Sequence, residues 1–90
     1  MTAAISAADT TFEAHRTLLF GVAYRMLGTI GEAEDAVQES YLRYRSAEAA
    51  IANSRAYLVT VVTRICLDVL KSARVQREQD LAYDAISLAM

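Results

Sequence analysis

The sequence predicts an all-α fold: a compact bundle of three main helices, with a short loop or helical turn before the last. Three observations carry this. Pro is absent, Gly occurs only three times and Ala and Leu dominate, a mixture that favours helices and lacks the turn residues of β-folds. Apolar residues recur at three- and four-residue steps over long stretches. Helix stop and start signals fall where that period breaks. Ninety residues suit one small domain of modest stability, since a chain of this size buries only about two-thirds of its unfolded surface.

Residues 1–9 have no clear period and read as a flexible N-terminus. Thr10 followed by Glu13 forms a capping-box signature, so the first helix and the domain proper begin there. This helix runs to about Leu27. Phe12, Leu19, Val22, Ala23 and Met26 line one side, while Leu18, Phe20, Tyr24 and Leu27 occupy much of the rest. A helix that is apolar nearly all round requires cover on more than one side. His15 has no Cys, His or carboxylate at metal-ligand spacing, so it reads as a surface or half-buried histidine.

Gly28 ends this helix in the C-terminal glycine position, and Thr29 with Glu32 supplies the capping box of the next. The short turn makes the two helices antiparallel neighbours. The second helix is GEAEDAVQESYLRYR, residues 31–45. Ala33, Ala36, Val37, Ser40, Tyr41 and Tyr44 share a face that should be buried. Asp35, Gln38, Glu39 and Leu42 form an outward stripe, free to meet a partner. Asp35 and Glu39 are like charges four apart, a spacing that costs an isolated helix about 0.2–0.5 kcal/mol and that a basic partner would offset. A solvated face, favoured by the helix dipole at Glu32, Glu34 and Asp35, fits the same residues.

Between Ser46 and Asn53 the stretch SAEAAIAN loses the amphipathic period without Gly or Pro. Asn53 or Ser54 can cap a third helix, expected from Arg55 to about Asp80. Leu58, Val61, Val62, Ile65, Val69 and Ala73 form its inner face. Thr60, Arg64, Lys71, Arg74 and Arg77 lie around another side and form a basic edge, compatible with either solvation or phosphate contact. Residues 81–90, LAYDAISLAM, form an apolar tail that extends this helix, folds back or meets another chain, and it invites self-association.

The net charge of −2 conceals an asymmetry. Acids gather between Glu32 and Glu48, whereas from Arg55 to Arg77 five basic residues face one acid, Asp68. Two partners of opposite charge would suit such a chain. The single Cys66 lies in the apolar run VVTRICLDVL and reads as a buried thiol in a reducing compartment. No apolar run reaches the roughly eighteen residues of a membrane span, and no signal-peptide pattern opens the chain. The chain therefore reads as cytoplasmic, with no membrane partner. No paired carboxylates on facing helices, Ser/His/Asp set, phosphate loop or metal cluster stands out. The expectation is a protein without catalytic residues, metal or cofactor.

GEAEDAVQESYLRYR resembles the core-binding helix of bacterial sigma factors, in particular the extracytoplasmic-function group. SRAYLVTVVTRICLDVLKSAR is similar to the promoter-reading helix that follows it, with Tyr57 at a position commonly aromatic there. The likeness spans roughly Phe12 to Glu78. It implies that Asp35, Gln38 and Glu39, with Leu42 and Arg43 close by, dock on a basic coiled coil of the clamp of core RNA polymerase. It also implies that Glu48, Ala49, Ala50, Ile51 and Asn53 form the loop that accepts a base flipped from the minus-ten promoter element. On the residues alone a plain connector fits that loop equally well, since it holds no aromatic platform. By the same resemblance Thr60, Thr63 and Arg64 face the edge of the minus-ten duplex, and Arg55, Lys71, Arg74 and Arg77 complete the DNA-binding set.

Two departures follow from the comparison with that family. Primary sigma factors carry adjacent aromatics that wedge the duplex open, and Thr60 with Val61 stands in their place; lower melting power and stricter promoter choice are expected. A complete member also has a second helical domain that reads the minus-thirty-five element. This chain reads as a fragment or a lone promoter-binding domain, with an anti-sigma factor as a further partner of the group. The competing function is a helical adaptor that binds a basic protein and never touches DNA.

Overall fold

The structure, a computed structural model, describes residues 7–90. Helix α1 (Ala7–Leu27) is followed by α2 (Ile30–Ala47), a 3-10 turn (Glu48–Ala50) and α3 (Ser54–Ala89). All three helices pack on one another, giving the expected all-α bundle.

Of the stretch expected to be flexible, residues 1–6 lie outside the described residues, and Ala7 to Asp9 are helical. Helix α1 is therefore under way before Thr10, which does not cap it. Ala8 is buried, and the Asp9 carboxylate accepts a hydrogen bond from the Tyr41 hydroxyl of α2. Those contacts hold the first turn against the bundle. Gly28 closes the helix with its N–H donating to the Tyr24 carbonyl at 2.8 Å, at a φ of 86° that a side chain rarely tolerates. At the start of α2 the Glu32 N–H donates to Thr29 Oγ1 at 3.2 Å, and that hydroxyl donates to Glu32 Oε2 at 3.1 Å. The cap is formed between these two residues as the sequence predicts.

The core is built from one face of each helix. Phe12, Leu19 and Ala23 of α1 meet Ala33, Ala36, Val37 and Tyr44 of α2 and Leu58, Val62, Ile65 and Cys66 of α3, all buried. Ser40 is the buried polar residue among them, and its hydroxyl donates to the Ala36 carbonyl at 2.8 Å. No polar group is stranded there. Tyr41 is half-buried, its ring edge-on to Phe12 at 5.1 Å. Around α1, Val22, Met26, Phe20 and Leu27 also pack on the core, but Leu18 and Tyr24 face outward. The cover expected on several sides of this helix is thus incomplete.

Helix α3 departs most from expectation. It continues to Ala89, past Asp80, and its buried face ends at Cys66. Val69 is 37% exposed and Ala73 is exposed, although the apolar period of the sequence places both on the inner face. Length explains this: α1 has 21 residues and α2 18, against 36 in α3. At about 1.5 Å per residue, α3 is some 54 Å long and outruns both partners. The long dimension of the molecule is 65 Å.

Two stability predictions follow. Gly28→Ala forces a side chain into the left-handed region and should cost about 1–2 kcal/mol, read as a lowered melting temperature. Burial pushes the Cys66 thiol above its ordinary value, so the thiolate is disfavoured at neutral pH. Iodoacetamide should then alkylate the native chain at least about tenfold more slowly than the urea-unfolded chain.

Candidate functional site

The buried face of α2 is made mostly of small residues, which draws α1 and α3 close and turns the opposite face outward. On that face Asp35, Gln38, Glu39, Leu42 and Arg43 are all exposed and fall on successive turns. They form one ridge. Arg43 Nε donates to Glu39 Oε2 at 3.2 Å across one turn, so Glu39 already has a cation beside it. Asp35 has no such partner among the described residues. Leu42 is 51% exposed, an apolar group within an otherwise polar ridge.

A groove runs along each side of this ridge. Between α1 and α2 a cleft of about 620 Å³ is lined by Phe20, Ile30 and Val37, with Arg16, Thr17, Glu34, Asp35 and Gln38 around it. Between α2 and α3 a cleft of about 400 Å³ is lined by Ala36, Ile65 and Val69 under Glu32, Asp35 and Glu39. Asp35 stands on the rim of both.

The segment after α2 is a 3-10 turn over Glu48–Ala50. Ala49 and Ala50 are exposed, whereas Ile51 is half-buried against the core. Asn53 is exposed and caps α3, its side-chain oxygen accepting from the Ala56 N–H at 3.0 Å. Its amide nitrogen keeps its donors. Thus Ile51 and Asn53 are tied to the fold, and the alanines are the open part of the loop. The flanks are joined by the Tyr44 hydroxyl, 2.8 Å from Ser54 Oγ, and by the tilted pair of Tyr44 and Tyr57 rings at 6.2 Å.

Along α3 the cations form an edge rather than a cluster. Arg55 and Thr60 line a shallow groove of about 450 Å³ with Asn53, Ala56 and Val59, beside the loop. Thr60, Arg64, Lys71 and Arg74 fall on the side of the helix away from the core stripe, and all are exposed. Thr63 is half-buried and its hydroxyl donates to the Val59 carbonyl at 2.7 Å, which leaves it to act as an acceptor. Arg74 Nε donates to Glu78 Oε1 at 3.2 Å. Arg77 lies about 33 Å along the helix from Arg55. Val61 packs partly against the core.

The grooves beside the ridge and the Tyr44–Ser54 bond were not anticipated from the sequence. For Tyr44 a signal existed: a buried tyrosine requires a partner for its hydroxyl. Among the described residues no helix is long and apolar enough to cross a membrane, and no cluster of His, Cys, Asp and Glu could hold a metal ion.

Comparison with known proteins identifies the family of the chain. The chain is 54% identical over 67 residues to the ECF RNA polymerase sigma factor SigJ of Mycobacterium tuberculosis (strain ATCC 25618 / H37Rv), covering 74% of this chain and 22% of that protein. It is 46% identical over 74 residues to the probable ECF RNA polymerase sigma factor SigI of Mycobacterium tuberculosis (strain CDC 1551 / Oshkosh), covering 79% of this chain and 26% of that protein. The chain thus spans about a quarter of the length of the relatives it matches. No solved structure matches it. The family model described as Sigma-70 region 2 matches residues 11–76, which takes in the ridge, the loop and nearly all of the basic edge: the chain belongs to the Sigma-70 region 2 family and, by its relatives, to the ECF group.

Proposed function

We propose that this chain is the promoter-recognition domain of an alternative sigma factor, acting in transcription initiation in the cytoplasm and not as an enzyme. The α2 ridge of Asp35, Gln38, Glu39, Leu42 and Arg43 binds the basic clamp coiled coil of core RNA polymerase. The turn at Glu48, Ala49 and Ala50, whose two alanines are exposed, is bounded by Ile51 and Asn53 and accepts a base flipped from the minus-ten element. Thr60, Thr63 and Arg64 read the adjoining duplex edge, and Arg55, Lys71, Arg74 and Arg77 meet phosphates. An anti-sigma factor would regulate it by covering either surface.

The observation that carries this reading is the separation of charge. Acidic groups are presented on the outer face of α2, and Arg64, Lys71 and Arg74 run along α3 on the side away from the core. One molecule can then hold a basic protein and a phosphate backbone at once. Exposed ion pairs contribute modestly one by one, so affinity for polymerase rests on the ridge as a whole.

In a titration of labelled chain with bacterial core RNA polymerase, wild type should saturate and the Asp35→Lys, Glu39→Lys double variant should lose binding by about a hundredfold. Retained binding by the variant would remove the ridge from the interface. Charge reversal at Arg64 and Lys71 should leave polymerase affinity intact, while capture of minus-ten DNA by the assembled complex falls and its salt dependence flattens. DNA capture unaffected by that reversal would favour the adaptor function.

A further inference from the structure

We infer that the half of α3 beyond the bundle is a pairing surface for a second copy of this chain, laid antiparallel so that Leu70 of each copy meets Leu88 of the other and Arg74 meets Asp84. The inference goes beyond the promoter-recognition reading and does not depend on it.

The apolar surface of this half lies on a different face from the core. Counting on from Val62, Cys66, Val69 and Ala73, the core face turns polar at Gln76, Asp80 and Ser87. The leucines fall instead on a stripe roughly a third of a turn away, where Leu70, Arg74, Arg77, Leu81, Asp84 and Leu88 follow at alternating steps of four and three residues. That is the seam spacing of a two-stranded coiled coil. All six are exposed, Leu70 by 41% and Leu88 by 88%. The stretch they span, about 27 Å long, lies wholly past Cys66, the last buried residue of the helix.

The stripe is self-complementary in one direction only. In the antiparallel register that matches the two steps, Leu70 faces Leu88, Arg74 faces Asp84 and Arg77 faces Leu81, each twice by the twofold symmetry. A parallel pair sets every residue on its own copy, so Arg74 meets Arg74, Arg77 meets Arg77 and Asp84 meets Asp84. Like charges in the seam reject that arrangement. Asp84 has no hydrogen bond or ion pair within its own chain among the described residues, and Arg74 spends only Nε on Glu78, at 3.2 Å, keeping its terminal nitrogens for a second carboxylate. The Arg77 stem lies along Leu81 while its guanidinium reaches the edge of the seam. Glu78 approaches its own copy near the twofold axis, where the two Arg77 cations offset the repulsion. Pairing withdraws Arg74 and Arg77 from the basic edge and leaves Arg64 and Lys71 outside the seam.

The test is sedimentation velocity of the whole chain over a concentration series, with circular dichroism to check the fold. Wild type should pass from monomer to dimer over about 10–100 μM, as suits a small seam interrupted by charge. Leu81→Asp, near the centre of the seam, should weaken pairing by about tenfold or more. Ile86→Asp removes an equally exposed apolar side chain from outside the stripe and should stay within about twofold of wild type. Arg74→Asp and Asp84→Arg should each weaken pairing by about tenfold, and the two together in one chain should restore it to within about threefold. A folded wild-type chain that stays monomeric at about 100 μM would overturn the inference. So would pairing lost in Ile86→Asp and kept in Leu81→Asp, which moves the contact to another face. Failure of the charge-swapped chain to recover would overturn the antiparallel register, and the proposal with it.

Discussion

The close approach of three helices over the small-residue face of α2 is the constraint on which the rest of this structure depends. Ala33, Ala36 and Ser40 are buried there, with Val37 and Tyr44 completing the face, and nothing larger at the first three positions would let α1 and α3 come as near. Ser40 is admitted because its hydroxyl bonds one turn back, which removes the cost of burying it. Since this face is consumed by packing, the opposite face of α2 must be solvent-exposed along its whole length. The ridge is therefore a product of the packing as much as of its own residues.

A second consequence concerns the unequal helices. The two shorter helices can cover only the first part of α3, and burial on α3 ceases after Cys66. From Leu67 onward every residue is exposed, including Leu67, Leu70, Leu81 and Leu88. Pairs such as Arg74 with Glu78 and Gln76 with Asp80 support that half locally, at the scale of tenths of a kcal/mol each. The cations assigned to DNA thus divide into two environments. Arg55 and Arg64 stand on the part of the helix anchored in the bundle, while Lys71, Arg74 and Arg77 stand on the part beyond it.

The sequence made much of this legible, and where it failed the reasons are physical. Local rules worked where local chemistry decides: the Gly28 stop, the Thr29–Glu32 cap, the Asn53 cap and the buried face of α2 all follow from propensity and period. They failed where tertiary reach decides. Val69 and Ala73 continue the apolar period of α3 faultlessly, yet periodicity cannot tell how long the neighbouring helices are. Thr10 and Glu13 made a plausible start signal, but Ala8 and Asp9 find partners across the bundle that carry the helix back to Ala7. The ridge could be read as a stripe of exposed residues; the clefts beside it depend on interhelical spacing and could not.

That dependence also sorts the acids of the ridge. Asp35 and Glu39 share a face at a repulsive spacing, and the chain answers this on one side only: Arg43 approaches Glu39, while Asp35 has no cation within reach among the described residues. A basic partner must compete with Arg43 for Glu39, whereas at Asp35 it meets a carboxylate with no prior bond. Asp35 is also the group that borders both clefts, so a cation placed there would lie beside apolar walls that limit screening by water. Of the two ridge acids Asp35 is therefore the less compensated within the fold and the better placed to be compensated by another molecule.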